Sequence, residues 1–140
     1  MVRISEIDII KELEKDASQT YTQIAKKFGV TEAAIRKRIK NLIEKGIIER
    51  YNVEINYKRL GFEIFAIIGI DCKPECMMKL AEELKKEENI RKIFTTSGDH
   101  SILIEAVFKT SEEFSRFLKK LEKKKGTLRV CPSIIVSRIK

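Results

Sequence analysis

The stretch "GVTEAAIRKRIKNLIEKG", residues 29–46, places five basic side chains on one apparent helix and opens it with two adjacent alanines. Thr31 is positioned to cap this helix, and Glu32 lies in its first turn, where the helix dipole favours an acid. Ile35, Ile39, Leu42 and Ile43 recur at helical spacing as one apolar stripe, and Gly46 closes the element. At about 100° per residue this stripe leaves Ala33, Arg36, Lys37 and Lys40 on the opposite face, with Arg38 on the flank. Just upstream, Thr20 and Gln23 form a capping pair ahead of Ile24, Ala25 and Phe28, and Gly29 ends that shorter helix. A short capped helix, a glycine turn and a longer basic helix predict a helix-turn-helix.

A run of charges usually just faces water. Here only Glu32 and Glu44 dilute the basic face, and the preceding helix and turn stand at the spacing that presents a helix to DNA. Small side chains at Ala33 and Ala34 allow close approach to base edges in the major groove, while Arg36, Lys37, Arg38 and Lys40 reach phosphates. Lys26 and Lys27 on the shorter helix are candidate phosphate contacts, with surface solubility as an equal explanation. Arg50 and Tyr51 are weaker candidates beside the groove, and a packing role for Tyr51 stands against that. The expected partner is double-stranded DNA.

Upstream, Ser5 and Asp8 give a capping-box-like start to a first helix whose Ile7, Ile10 and Leu13 repeat at helical spacing. Downstream, "IIERYNVEIN" alternates loosely enough to be a short strand or wing. "YKRLGFE" reads as a hinge, so the expected divisions are a helix-turn-helix domain over 1–50, a wing and linker over 51–61, and a second domain over 62–140. In the second domain "FEIFAIIGID" reads as a strand and "KPECMMKLAEELKKEEN" as a helix with Met77, Leu80, Ala81 and Leu84 on one face. "IRKIFTT" and "HSILIEAVF" read as strands joined across "SGD", and Thr110 with Glu113 caps a helix striped by Phe114, Phe117, Leu118 and Leu121. "LRVCPSIIVSRI" is a last strand, in which Pro132 implies an edge or a bulge.

Strand, helix, strand, strand, helix, strand is the order of a ferredoxin-like α+β domain, a four-stranded antiparallel sheet with two helices on one face. The first strand is apolar at successive positions, so its other face also needs cover, and a symmetric homodimer is the expected arrangement. Ile68 is taken as a residue of that free face, where Ile68→Asp would break the dimer or unfold it.

Composition agrees with a soluble globular protein. Of 140 residues 36% are charged and 43% apolar, and 29 Lys and Arg face 21 Asp and Glu for a net charge of +8. That balance favours a polyanionic partner, although Lys- and Glu-rich surfaces also occur in proteins of heat-loving organisms. No apolar run is long enough to span a bilayer and the start lacks a signal-peptide core, so a cytoplasmic protein without membrane contact is expected. Cys72, Cys76 and Cys131 suggest neither a disulfide framework nor a zinc knuckle. No metal site, cofactor or catalytic residue is expected.

In its motifs the chain resembles the Lrp/AsnC, or feast/famine, family of prokaryotic transcription regulators. The resemblance covers nearly the whole length: "ISEIDIIKELEKDA", "TYTQIAKKFGVTEAAIRKRIKNLIEKGII", "YKRLGF", "TTSGDHSILIEAV" and "GTLRVCPSIIV" follow in family order. It implies a winged helix-turn-helix, a C-terminal domain that dimerises and builds tetramers or octamers, binding to semi-palindromic promoter sites as repressor or activator, and an amino-acid effector held between dimers. Carried over, DNA reading falls within residues 33–40, and the effector pocket involves Gly98, Asp99, His100, Ser101 and the last strand from Val130 to Ser133. The chain departs from the pattern there. His100 and Ser101 stand where an aromatic residue and a second acid are common, and Val130 and Pro132 stand where threonines are. An ammonium group wants a carboxylate and a carboxylate wants hydroxyl or backbone donors, so these losses weaken an amino-acid site.

Two other expectations compete. Certain haem-precursor decarboxylases resemble the same two-domain build and use histidine and arginine around a tetrapyrrole, but this chain offers only His100, with no evident acid-base partner. A sensor module whose DNA-binding half only helps assembly is the third.

Overall fold

The computed structural model describes residues 3–140, which divide into two compact units, one ending at Glu54 and the other beginning at Ile55. In the first, α1 (Glu6–Lys15), α2 (Tyr21–Phe28) and α3 (Glu32–Glu44) follow one another. Reciprocal side-chain and backbone hydrogen bonds link Ser5 with Asp8 and Thr20 with Gln23, and the Thr31 hydroxyl accepts from the Ala34 N–H. Each cap satisfies amide donors that a helix start leaves open, worth about 1 kcal/mol per cap. Gly29 takes the left-handed conformation between α2 and α3.

Ile9, Ile24, Ile35, Ile39 and Leu42 are fully buried where the three helices meet, with Ile4 and Ala25 beside them. The expected stripes need adjustment at two places. Ile7 is 62% and Ile43 46% exposed, because each lies at the margin of its helix's apolar arc while Ile9 and Leu42 occupy the centre. The stretch after α3, read as a short strand or wing, forms no strand over residues 47–56. A strand needs a ladder partner, and the described residues of this unit offer none.

The second unit is a four-stranded antiparallel sheet in the order β2-β3-β1-β4, built from β1 (Ile64–Cys72), β2 (Ile90–Thr95), β3 (Ile102–Phe108) and β4 (Thr127–Ile134). Its helices α4 (Met77–Leu84) and α5 (Ser111–Glu122) fall between β1 and β2 and between β3 and β4. The α4 segment is shorter than its apolar pattern suggests. It opens as a 3-10 turn over Pro74–Cys76 and ends at Leu84, the last residue it buries against the sheet. Likewise β4 stops at Ile134, opposite Ala66, although the Ile135 N–H still donates to the Phe65 carbonyl at 2.8 Å. Pro132 lies on the edge strand, as a residue without an amide donor must.

Ile64, Ala66, Ile68 and Ile70 of β1 join Ile102, Ile104, Ala106 and Phe108 of β3 in one core with Leu80 and Leu84 of α4 and Phe114, Phe117 and Leu121 of α5. The Phe108 ring lies 5.2 Å from that of Phe114 and 5.0 Å from that of Phe117. Ile68 is therefore a core residue, 0% exposed, and its assignment to the free face is corrected. The pleat sends alternate side chains to opposite faces, so Ile67, 36% exposed and paired with Glu105 and Ser133, belongs to the free face. Among the described residues no helix is long and apolar enough to cross a membrane.

Candidate nucleic-acid interface

With Ile35, Ile39 and Leu42 buried, α3 turns Ala33, Ala34, Lys37, Lys40 and Asn41 outward, all exposed. The cations of this region then separate by what they already touch. Among the described residues Lys37 and the exposed Lys26 make no ion pair, and Lys40 only approaches Glu44 at 3.9 Å. Arg36 donates to Glu32 one turn back and lies over the Tyr21 ring, 5.0 Å from its centroid. Arg38 is half-buried and donates to the Ile4 carbonyl, which ties α3 to the start of α1.

Lys27 is similarly engaged: it pairs with the buried Glu12 and donates to Gln19 Oε1 at 2.7 Å. The Lys27 hydrogen bond holds the Glu12 carboxyl below its ordinary range despite partial desolvation. Lys27 and Arg38 thus connect helices, whereas Lys37, Lys40 and Lys26 stand available to an external anion.

Sequence reasoning missed the surroundings of Arg36. A cleft of about 530 Å³ is lined by Leu13, Gln19, Tyr21, Thr22, Arg36 and Tyr51, among others. The i, i+4 spacing of Glu32 and Arg36 could have signalled their pairing. The approach of Tyr21 could not be read, because it depends on how α2 crosses α3. Asn41, one turn after Lys37 on the outward face, was legible from helical spacing and went unassigned.

The second candidate region is the hairpin between β2 and β3. The Thr96 N–H donates to the Ser101 carbonyl at 2.9 Å, and the Ser101 N–H to the Ile70 carbonyl at 3.0 Å, so the turn is fastened to β1. Gly98 and Asp99 are exposed at its tip. His100 folds back instead, its Nδ1 2.8 Å from Asp71 Oδ1, with its ring where a side chain on Gly69 would otherwise lie. Arg129 Nε donates to the other Asp71 oxygen at 2.7 Å. Ser133 is exposed on β4 opposite Ile67, several residues along the strand from Arg129. The described geometry thus brings Asp71, His100 and Arg129 together, and sequence reasoning named only His100 of the three.

The hydrogen bond with His100 is the main reason the Asp71 carboxyl titrates below its ordinary value of 3.8, and Arg129 adds a second bond and its charge. A depressed native pKa means that Asp71 stabilises the fold above its ordinary range and loses that contribution as pH falls through the native value. Asp71→Asn is therefore expected to lower the urea midpoint at pH 6 and to lower it less at pH 2.5, read by circular dichroism at both pH values.

Burial pushes the Cys72 thiol up, away from reactivity, and all three cysteines are free thiols. Among the described residues no group of three or more His, Cys, Asp or Glu is arranged to hold a metal ion.

Comparison with known proteins agrees with both units. A family model described as winged helix-turn-helix DNA-binding matches residues 3–49, and one described as Lrp/AsnC ligand binding domain matches residues 65–140. A helix-turn-helix ahead of such a sheet domain defines a two-domain transcription regulator. The chain belongs to the Lrp/AsnC family. It is 42% identical to the HTH-type transcriptional regulator LrpA of Pyrococcus horikoshii over 133 residues, covering 94% of each chain. It is 43% identical to LrpA of Pyrococcus abyssi, again with 94% of each covered.

Among solved structures, LrpC of B. subtilis superposes with a TM-score of 0.86 at 20% identity, covering 100% of this chain and 99% of that one. The regulator NMB0573 of Neisseria meningitidis, solved as a complex with L-Met, gives 0.87 at 20% identity, covering 100% and 93%. At that identity the likeness speaks for the fold alone. The relatives named are regulators, which favours that reading over the decarboxylase.

Proposed function

We propose that this chain is a sequence-specific DNA-binding transcription regulator that acts as a symmetric homodimer, able to assemble further into tetramers or octamers. The observation that carries the reading is the outward face of α3, where small Ala33 and Ala34 precede Lys37 and Lys40 and no local acid holds Lys37. A helix of this kind fits the major groove with its first turn close to base edges and its cations on phosphates. Arg36, held by Glu32 and Tyr21, sits on the flank as a preset arm, and Lys26 adds a backbone contact from α2. Lys27 and Arg38 support this surface from within.

Pairing is proposed through the free face of the sheet, where Ile67 and Phe94 are 36% and 49% exposed. An apolar sheet face of this kind is costly to leave in water, and a C2 partner covers it with the same face. A dimer also presents two copies of α3, which is what a semi-palindromic site requires.

The reading extends to a small-molecule effector at the β2–β3 hairpin. Asp71 is already taken up by His100 and Arg129, so the exposed Asp99 is the acid left to receive an ammonium group there, with Gly98 supplying backbone groups and Ser101 its hydroxyl, while Ser133, opposite Ile67, lies away from this hairpin. The cytoplasm is the proposed location.

Selecting bound fragments from random duplex DNA, with and without a panel of free amino acids, tests this directly. The expected product is an inverted repeat whose enrichment changes with one effector. Recovery of fragments with no shared sequence would contradict sequence-specific regulation.

A further inference from the structure

The charge of this chain is not concentrated in the unit that carries the recognition helix. Residues 1–54 hold eleven Lys and Arg against nine Asp and Glu, while residues 55–140 hold eighteen against twelve. Most of the excess thus lies in the sheet unit, and it is densest along α5 and the lysines that follow it, "RFLKKLEKKK" over residues 116–125.

The fold sorts these cations into two sets. Phe114, Phe117 and Leu121 face the sheet, which at about 100° per residue turns Arg116, Lys119 and Lys123 into one outward row. Lys120 and Lys124 lie toward the α4 segment and pair with Glu87 and Glu83. The acids of the α4 segment are thereby used by the inner lysines, and Arg116, Lys119 and Lys123 remain exposed beside Glu112 and Glu122 with no ion pair among the described residues. A row spanning seven residues extends about 10 Å along the helix. Duplex DNA carries a charge about every 1.7 Å of its axis, so such a row can neutralise several phosphates at once.

Resting on the DNA-binding function proposed above, we infer that the outer face of α5 is a second, sequence-independent contact surface for the duplex backbone. It adds affinity and footprint to the sites that α3 selects. Exposed lysines on a soluble protein need no partner when acids interleave with them. Here the exposed acids of the same helix, Glu112 and Glu122, pair with none of the three cations, the sheet unit carries most of the chain's excess charge, and the protein already works on a polyanion, which is why the occupant is duplex DNA rather than an acidic protein.

The test uses the full-length protein and the triple variant Arg116→Ala, Lys119→Ala, Lys123→Ala, bound to an operator-bearing fragment of about 100 base pairs across a salt series. The variant is expected to keep parental circular dichroism and oligomer size, to keep the operator positions protected from hydroxyl radicals, and to lose protections elsewhere along the backbone. Its plot of log affinity against log salt is expected to flatten by roughly 2 to 3 units per bound protomer, near 0.9 per lost phosphate contact. The charge-conserving set Arg116→Lys, Lys119→Arg, Lys123→Arg is expected to behave as the parent, which separates loss of charge from loss of fold. An unchanged salt slope with unchanged protections in the alanine variant overturns the inference, while leaving recognition by α3 intact. If the parent itself fails to bind the duplex, the function proposed above fails as well.

Discussion

Ile68→Asp is expected to abolish folding of the sheet domain, and Ile67→Asp to leave it folded but unpaired. The two residues are neighbours in β1 with opposite fates. Ile68 is 0% exposed among Ile70, Ile104, Leu84 and the α5 phenylalanines, so an aspartate there loses roughly 1.5–3 kcal/mol of apolar burial and adds the cost of an unpaired charge, several kcal/mol more. A small domain holds a total stability of only about 5–15 kcal/mol, so the sum removes most or all of it. Ile67 is 36% exposed on the other face, where a carboxylate stays hydrated in the isolated chain and would meet its own copy across the proposed C2 interface. Circular dichroism separates the first outcome from the parent, and sedimentation separates the second. A folded dimer from Ile67→Asp would place the interface elsewhere.

The second large effect is expected at α3. Lys37→Ala with Lys40→Ala removes the two cations on the outward face least engaged by neighbouring acids. If each contacts one phosphate, the salt slope should flatten by close to 2 units per bound protomer, and affinity should fall by on the order of 10- to 100-fold at moderate salt. Neither lysine is buried or bridges helices, so thermal stability and oligomer size should not move. Arg38→Ala makes the instructive contrast: it releases the Ile4 carbonyl and should lower the stability of the helical unit, with a weaker effect on the salt slope. Fluorescence anisotropy on a selected operator at several salt concentrations reads all three proteins.

Much of this molecule was legible in its sequence because the signals are local. The capping pairs Ser5–Asp8, Thr20–Gln23 and Thr110–Glu113 lie three residues apart, and each marks a helix start in the structure. The turn at Gly29 and the strand-helix order of the second unit depend on the same short-range chemistry. What could not be read is what depends on contacts across space. In "FAIIGI" every position is apolar, so the two-residue period that would tell one sheet face from the other is silent, and Ile68 was placed on the wrong side. The length of α4 follows from where it stops burying residues against the sheet, which its own apolar pattern does not show. At the candidate interface, helical spacing identified which cations point away from the core. It could not tell that Lys27 and Arg38 are spent on Glu12 and the Ile4 carbonyl, since those partners come from a different helix or from the chain before it.

The hairpin illustrates the same limit. Gly98 and Asp99 were readable as a turn, and they form one. The pairing of His100 with Asp71, 29 residues earlier, required the register of β1 against β3.

Equilibrium binding of the purified, intact protein to duplex DNA, followed from dilute buffer to physiological salt, tests the central claim most directly. Tight association whose logarithm falls linearly with the logarithm of salt, and which Lys37→Ala with Lys40→Ala flattens, is the predicted result. A folded protein that leaves double-stranded DNA unbound in dilute buffer, or binds it with a slope those substitutions do not change, would contradict it.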